Sequence, residues 1–138
     1  MEISFMREHE QWITKAQEDL KDARTLCRSK SFSSTMYFCQ QAAEKALKSY
    51  LFFKKQELQK IHDLIKLCAL CKNFDHDFQK LTDVCELLNP FATKFRYPSE
   101  FDFPDLNDAK LAIKQAESVI KFVVKKISDP MVAQMEFR

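Results

Sequence analysis

The chain contains no glycine, and proline occurs only four times in 138 residues. Glycine enters left-handed backbone without a steric penalty, so Asn-Gly hairpins and other tight turns of positive φ have no raw material here. The same absence removes glycine-rich phosphate loops and dinucleotide fingerprints, whose backbone must approach a phosphate closely. An all-α fold is therefore predicted. Any nucleotide site would have to be built from side chains.

With 46% hydrophobic residues, a chain of this length can bury about 70% of its unfolded surface around one core. One domain is expected over residues 1–138, with its core in about 8–128 and a loose tail at 129–138. The net charge of +2 is too small to signal nucleic-acid binding through bulk electrostatics, so any such role rests on a local arrangement. No apolar run approaches the ~20 residues of a membrane span, and no basic leader precedes an apolar stretch. These features point to a cytoplasmic protein without membrane contact. The five cysteines are an odd set without framework spacing, and in a reducing compartment they read as small buried hydrophobes rather than disulfides.

Apolar spacing divides the chain into five helices. Trp12, Ala16, Leu20, Ala23 and Cys27 mark the first, over about 7–28, with Asp19 close to its apolar side. Ser31, Ser33 and Ser34 offer N-cap chemistry to the second, which runs to about Phe53. Leu64, Leu67, Cys68 and Cys71 mark a short third helix starting near His62 and Asp63. Phe74, Phe78, Leu81, Cys85, Leu88, Ala92 and Phe95 repeat by four and three in a heptad-like seam, which predicts a fourth helix with a partner. Pro90 falls inside that seam, so a kink is expected, or a fresh start with Asn89 as cap and Pro90 in the first position. Tyr97 to Asp105, bounded by Pro98 and Pro104, is the one long irregular segment and a candidate functional loop. Asp105 caps a fifth helix to about Ser128, with Leu106, Ala109, Ile113, Ala116, Ile120, Val123, Val124 and Ile127 on one face. The expected architecture is an up-and-down antiparallel helical bundle, four long helices and one short.

At 100° per residue, Tyr37, Gln40, Gln41, Glu44 and Lys48 share one stripe of the second helix, while Phe38, Ala42, Ala43, Ala46, Leu47 and Tyr50 cover the opposite arc. Two amides beside a carboxylate and an ammonium make a hydrogen-bonding surface. The competing reading is a solvated face, with Glu44 and Lys48 paired one turn apart.

Three stretches now stand in order: Gln40-Gln41-Ala42-Ala43-Glu44-Lys45-Ala46-Leu47-Lys48, then His62-Asp63-Leu64, then Arg96-Tyr97-Pro98. Together they resemble the HEPN domain, the higher eukaryotes and prokaryotes nucleotide-binding family. Ala16-x-x-Asp19-Leu20-x-x-Ala23 is similar to the family's opening pattern, so the resemblance covers roughly residues 8–127. It implies a helical bundle that commonly forms a homodimer, an association with nucleotide or RNA, and pairing with a separate minimal nucleotidyltransferase subunit. Many HEPN proteins are metal-independent ribonucleases in which an arginine is followed, four to six residues later, by a histidine. Arg96 resembles that arginine in placement, but Ser99, Glu100, Phe101, Asp102 and Phe103 follow and no histidine occurs after His76. The imidazole that would handle the proton in cleavage is missing from that motif, which favours an accessory binding role over catalysis. Toxin–antitoxin and divergent ribonuclease roles are the alternatives, with His62 as the substitute imidazole, as is a protein-interaction scaffold.

The resemblance and the residue chemistry together give a ligand-binding set of Arg96, Tyr97, His62, Gln41, Glu44 and Lys48. A guanidinium can fork onto phosphate and a tyrosine ring can stack on a base. Arg96 is equally open to an internal pairing with Glu44 or Asp19. His62 reads either as a ligand or proton carrier or as a capping group beside Asp63. Asp19 and Lys45 are expected as a structural ion pair. Lys110, Lys114, Lys121 and Lys125 form a second stripe that reads as a solvated face or as a track for a phosphate backbone. Cys68 and Cys71 with His62 and His76 have the donors of a zinc site, but both cysteines share the apolar face with Leu64 and Leu67, so packing is the expected role. No metal and no cofactor are predicted.

Overall fold

A computed structural model describes residues 7–95 and 103–128. Its α-helices follow in the order α1 (Glu8–Arg28), α2 (Phe32–Phe53), α3 (Leu64–Lys72), α4 (Thr82–Leu88) and α5 (Leu106–Ile127), with no strand among the described residues. α1, α2 and α5 pack against one another in an up-and-down bundle, while α3 and α4 lean on α2 and α4 also reaches α5. No helix among the described residues is long and apolar enough to cross a membrane.

α2 is the axis of the bundle. Ala42, Ala43 and Ala46 are wholly buried in it, as are Ala16 and Ala23 of α1 and Ala112 and Ala116 of α5. Side chains this small let neighbouring backbones approach closely, and the larger volume is supplied at the ends by Leu47, Tyr50 and Phe78. Tyr50 packs on Phe78 at 4.4 Å between ring centroids and Phe78 packs on Phe122 at 5.0 Å, which ties α2 through the α3–α4 connection to α5. On α1 the buried stripe is Ile13, Ala16, Leu20 and Ala23, whereas Trp12 and Cys27 lie at its half-buried edges.

The lack of glycine does not prevent left-handed backbone, contrary to the expectation from composition. Lys30 and Lys55 have φ of 62° and 59°. Each sits just past a helix end, and the bonds there are those of a Schellman stop: Ser31 N–H to Leu26 C=O and Lys30 N–H to Cys27 C=O after α1, Gln56 N–H to Leu51 C=O and Lys55 N–H to Phe52 C=O after α2. The four carbonyls satisfied at the two stops offset a left-handed penalty of about 1 kcal/mol per residue. The serine run does not cap α2 through a hydroxyl; instead the Ser31 carbonyl accepts the N–H and the hydroxyl of Thr35.

The heptad-like seam is helical from His76 to Ala92 but changes pitch twice. A 3₁₀ helix at His76–Leu81 leads into α4, and a second 3₁₀ helix at Asn89–Ala92 carries Pro90 in its first turn. Proline lacks the N–H that a continuing α-helix would need, so the tighter turn takes over at that point. Phe78, Leu81, Cys85 and Leu88 remain buried, so the seam keeps its partners even though its helix is short. The fresh start at Pro90 occurs, but the Asn89 side chain is occupied elsewhere, accepting the Leu64 N–H at 2.8 Å.

α5 begins in a reciprocal capping box. The Asp105 carboxylate accepts the Asp108 N–H and the Asp108 carboxylate accepts the Asp105 N–H, both at 2.9 Å. At its other end Lys126 lies 2.8 Å from both Asp75 and Asp77, which holds those carboxyls below and the ammonium above their ordinary pKa. Arg24 of α1 pairs with Glu117 of α5 across the outside of the bundle.

Candidate functional site

The stripe on α2 is not a solvated face. Gln40 is fully buried, and Glu44 and Lys48 keep only 4% of their surface. Buried charges persist only when paired and hydrogen-bonded, so their partners define the site. Lys48 Nζ donates to Glu44 Oε2 at 3.0 Å, one turn apart on α2. The same ammonium stands 5.8 Å from the centre of the Trp12 ring, which adds cation–π attraction from α1. Trp12 is in turn stacked on Phe52 at 5.6 Å.

Glu44 Oε2 has a second neighbour, His62 Nδ1, at 3.0 Å. A carboxylate can only accept, so this contact places the imidazole proton on Nδ1 and turns Nε2 away from the pair. The histidine side chain is 75% exposed whereas that of its carboxylate partner is 5% exposed. The pair therefore works as a buried anchor holding an exposed ring. Glu44 Oε1 is buried without a hydrogen-bond partner among the described residues, an expensive vacancy for a carboxylate.

The segment that presents His62 is fixed from both sides. Gln40 Nε2 donates to the His62 carbonyl at 3.2 Å, and Gln41 Nε2 donates to Gln40 Oε1 at 2.7 Å. Asp63 caps α3 by accepting the N–H groups of Ile65 and Lys66 at 2.8 and 3.2 Å. Capping thus belongs to Asp63, and Asn89 Nδ2 supports it by donating to the same carboxylate oxygen at 3.3 Å. Freed of capping, the imidazole at position 62 has Glu44 as its hydrogen-bond partner among the described residues.

One turn before Gln41 on α2, Tyr37 lines a cavity of about 250 Å³ with Ser33, Ser34, Phe38, Phe91, Ala92 and Phe95. Phe91 and Phe95 are stacked, with centroids 6.0 Å apart, and form its aromatic wall. The polar cluster and this cavity follow one another along a single side of α2.

The structure brings together His62, Gln41, Glu44 and Lys48 of the predicted binding set. Arg96 and Tyr97 lie outside the described residues, as does most of the candidate loop from Tyr97 to Asp105; Phe103, Pro104 and Asp105 are described. Lys45 Nζ meets Asp19 Oδ2 at 2.6 Å, joining α2 to α1 beside the cluster. The lysine stripe of α5 is exposed at Lys110, Lys114, Lys121 and Lys125, and Lys121 pairs with Glu117 at 2.8 Å. Cys68 and Cys71 donate to the carbonyls of Phe78 and Leu47, away from the exposed His62 and His76. Burial pushes the Cys39 thiol up to about 12 and Cys71 higher still, which makes both inert.

Three contributors escaped the sequence reading: Gln40 as the tether of His62, Asn89 as the clamp on α3, and Trp12 as the cover of Lys48. Gln40 had a signal, its place on the polar stripe. Asn89 and Trp12 had none, because their partners are 25 and 36 positions away in sequence.

No curated protein matches the sequence. Among solved structures, the crystal structure of TT1696 from Thermus thermophilus is similar with a TM-score of 0.74 at 22% identity, covering 88% of this chain and 99% of that one. The crystal structure of ST0689, an archaeal HEPN homologue, gives 0.71 at 26% identity, covering 89% of this chain and 100% of that one. The HEPN domain profile itself matches residues 9–127, which include α1 from its second residue, the buried cluster of α2, the His62 segment and all of α5. By that match, over most of its length, this chain belongs to the HEPN domain family.

Proposed function

We propose that the protein is a non-catalytic HEPN subunit that binds nucleotide or RNA beside His62 and works with a separate minimal nucleotidyltransferase, itself assembling as a homodimer. The observation that carries this reading is the exposed imidazole fixed by a buried carboxylate. Burying Glu44 and Lys48 is unfavourable in itself, and its product is one rigid, solvent-facing polar group. Such a group suits recognition of a phosphate or base edge, with the Tyr37–Phe91–Phe95 cavity along the same helix side for an aromatic ring. In this reading Arg96 supplies a forked contact to phosphate and Tyr97 a stacking surface, both as assigned from sequence.

Calorimetric titration with ATP and with a short single-stranded RNA tests the proposal. Binding of either is expected, weakened more than about tenfold in His62→Ala and in Arg96→Ala, as for loss of a charge-assisted hydrogen bond. Absence of binding to both ligands by the folded protein overturns it. The second reading is a divergent ribonuclease, favoured by one observation: a Glu44–His62 pair that turns Nε2 outward, as a general base would require. RNA cleavage that disappears in His62→Ala would establish that reading in place of the first.

A further inference from the structure

Arg24 of α1 and Glu117 of α5, paired across the outside of the bundle, mark the line where two charged faces meet. α1 runs antiparallel to α2, since His9 meets Ser49 and Asp19 meets Lys45. α5 runs parallel to α2, because Leu111 shares a cavity with Met36 at one end and Phe122 is joined to Tyr50 through Phe78 at the other. α1 and α5 are therefore antiparallel. On α5, Lys110, Lys114, Lys121 and Lys125 are all exposed and fall within an arc of about 60° along about 22 Å of helix. On α1, Lys21 and Arg28 are exposed and stand within about 60° of Arg24. Trp12 and Asp19, which face α2, lie about 120° and 140° from Arg24 in the opposite sense. In the antiparallel register Arg28 comes level with Lys114, and Lys21 with Lys121. Among the described residues the one carboxylate between the two rows is Glu117, and it is shared by Arg24 and by Lys121 at 2.8 Å. Glu10 lies on the same side of α1, but 14 residues before Arg24, whereas α5 ends ten residues after Glu117, and Arg7 holds it at 2.7 Å.

We propose that this α1–α5 face is a second binding surface, a track for the phosphate backbone of a single nucleic-acid strand. Seven cations gather on it against one carboxylate, in a chain whose net charge is only +2. The bulk charge thus conceals a strong local field. Lys110 and Lys114 stand one turn apart, as do Lys121 and Lys125, an arrangement in which like charges destabilise a helix. Among the described residues no carboxylate pairs with Lys21, Arg28, Lys110, Lys114 or Lys125. A ligand carrying a row of negative charges relieves that repulsion. No apolar side chain falls within either arc, so nothing there anchors a peptide side chain, whereas a phosphate backbone needs only the cations. At the stacked spacing of about 3.4 Å per nucleotide, about six phosphates cover the length of the lysine row. Contacts made to phosphate alone read no sequence. The face is turned away from the His62 cluster and does not rest on nucleotide binding there.

The test is fluorescence anisotropy of a labelled oligouridylate of about 12 nucleotides, and of its oligothymidylate counterpart, between about 50 and 200 mM KCl. Five unpaired cations give an expected slope of log affinity against log salt of about −3.5, a weakening of about a hundredfold over that range, alike for the RNA and the DNA strand. Combining Lys110→Ala, Lys114→Ala and Lys125→Ala is expected to make the slope shallower by about 2 and to leave ATP titration unchanged. His62→Ala is expected to keep the slope of the unaltered chain. A slope retained by a protein that fails to bind ATP supports the track while overturning the reading at His62. A slope shallower than about −1, one unchanged in the triple variant, or one lost in His62→Ala overturns the track. Displacement of the strand by polyglutamate of equal charge, at equal concentration, also overturns it, by assigning the face to an acidic protein. Should the triple variant fail to fold, Lys114→Gln alone is expected to reduce the slope by about 0.7.

Discussion

α2 and α5 have the same length, 22 residues, but 13 side chains are buried on α2 and only six on α5. α5 lies at the edge of the bundle, with Ala109, Ala116, Ile120 and Val123 inside as its periodicity says, Leu106 of the same predicted face exposed, and Lys110, Lys114, Lys121 and Lys125 outside. α2 is enclosed by α1, α3 and α5, so even its polar stripe is covered. A polar stripe on an edge helix meets water, while the same pattern on a central helix must find protein partners. Glu44, Lys48 and Gln40 find them in His62, Trp12 and the chain before α3.

The strongest challenge to this contrast is Glu44→Ala. It leaves the Lys48 ammonium buried without its carboxylate, and a loss of about 3–5 kcal/mol in urea unfolding is expected. Replacing both residues with apolar ones of similar volume, Glu44→Leu with Lys48→Met, is expected to recover most of that loss. A single-variant loss below about 1 kcal/mol would mean that the stripe is solvated after all.

A smaller effect is expected at the junction of α1 with the end of α2. His9 is buried there, its ring edge-on to Phe53 and its carbonyl accepting the Ser49 hydroxyl at 2.7 Å. Burial, aided by Arg7 and partly opposed by Glu10, holds the histidine below its ordinary pKa of 6.5. The unfolded chain then takes up the proton first as pH falls, so the contribution of His9 is complete above pH 6.5 and declines below it towards the lower native value. Thermal melts between about pH 5 and 8 should show this decline, flattened in His9→Gln. The smallest change belongs to the exposed side of α5, where Lys114→Ala should alter stability by no more than about 0.5 kcal/mol. A larger loss there would place a partner on the α5 lysine stripe.

Much of this architecture was legible because helix boundaries depend on local chemistry. The Asp105 cap, the break at Pro90 and the buried faces of α1 and α5 involve residues near one another in sequence. The fourth segment was harder, because apolar spacing of four and three is satisfied both by one α-helix and by 3₁₀ and α pieces in succession. Within the site, Gln41, Glu44, Lys48 and His62 were legible as candidates. Their burial was not, since it depends on which helix occupies the middle. The clamp by Asn89 across to Leu64 is likewise a product of the fold alone.

The left-handed lysines at positions 30 and 55 carry one more consequence. They are solvent-exposed places where the β-carbon opposes the local geometry, so glycine, which has no such carbon, would relax the backbone there instead of disturbing it. Thermal tolerance could thus be raised at two surface corners without touching the core or the charged cluster. A chain that has dispensed with glycine has left its easiest improvements unmade.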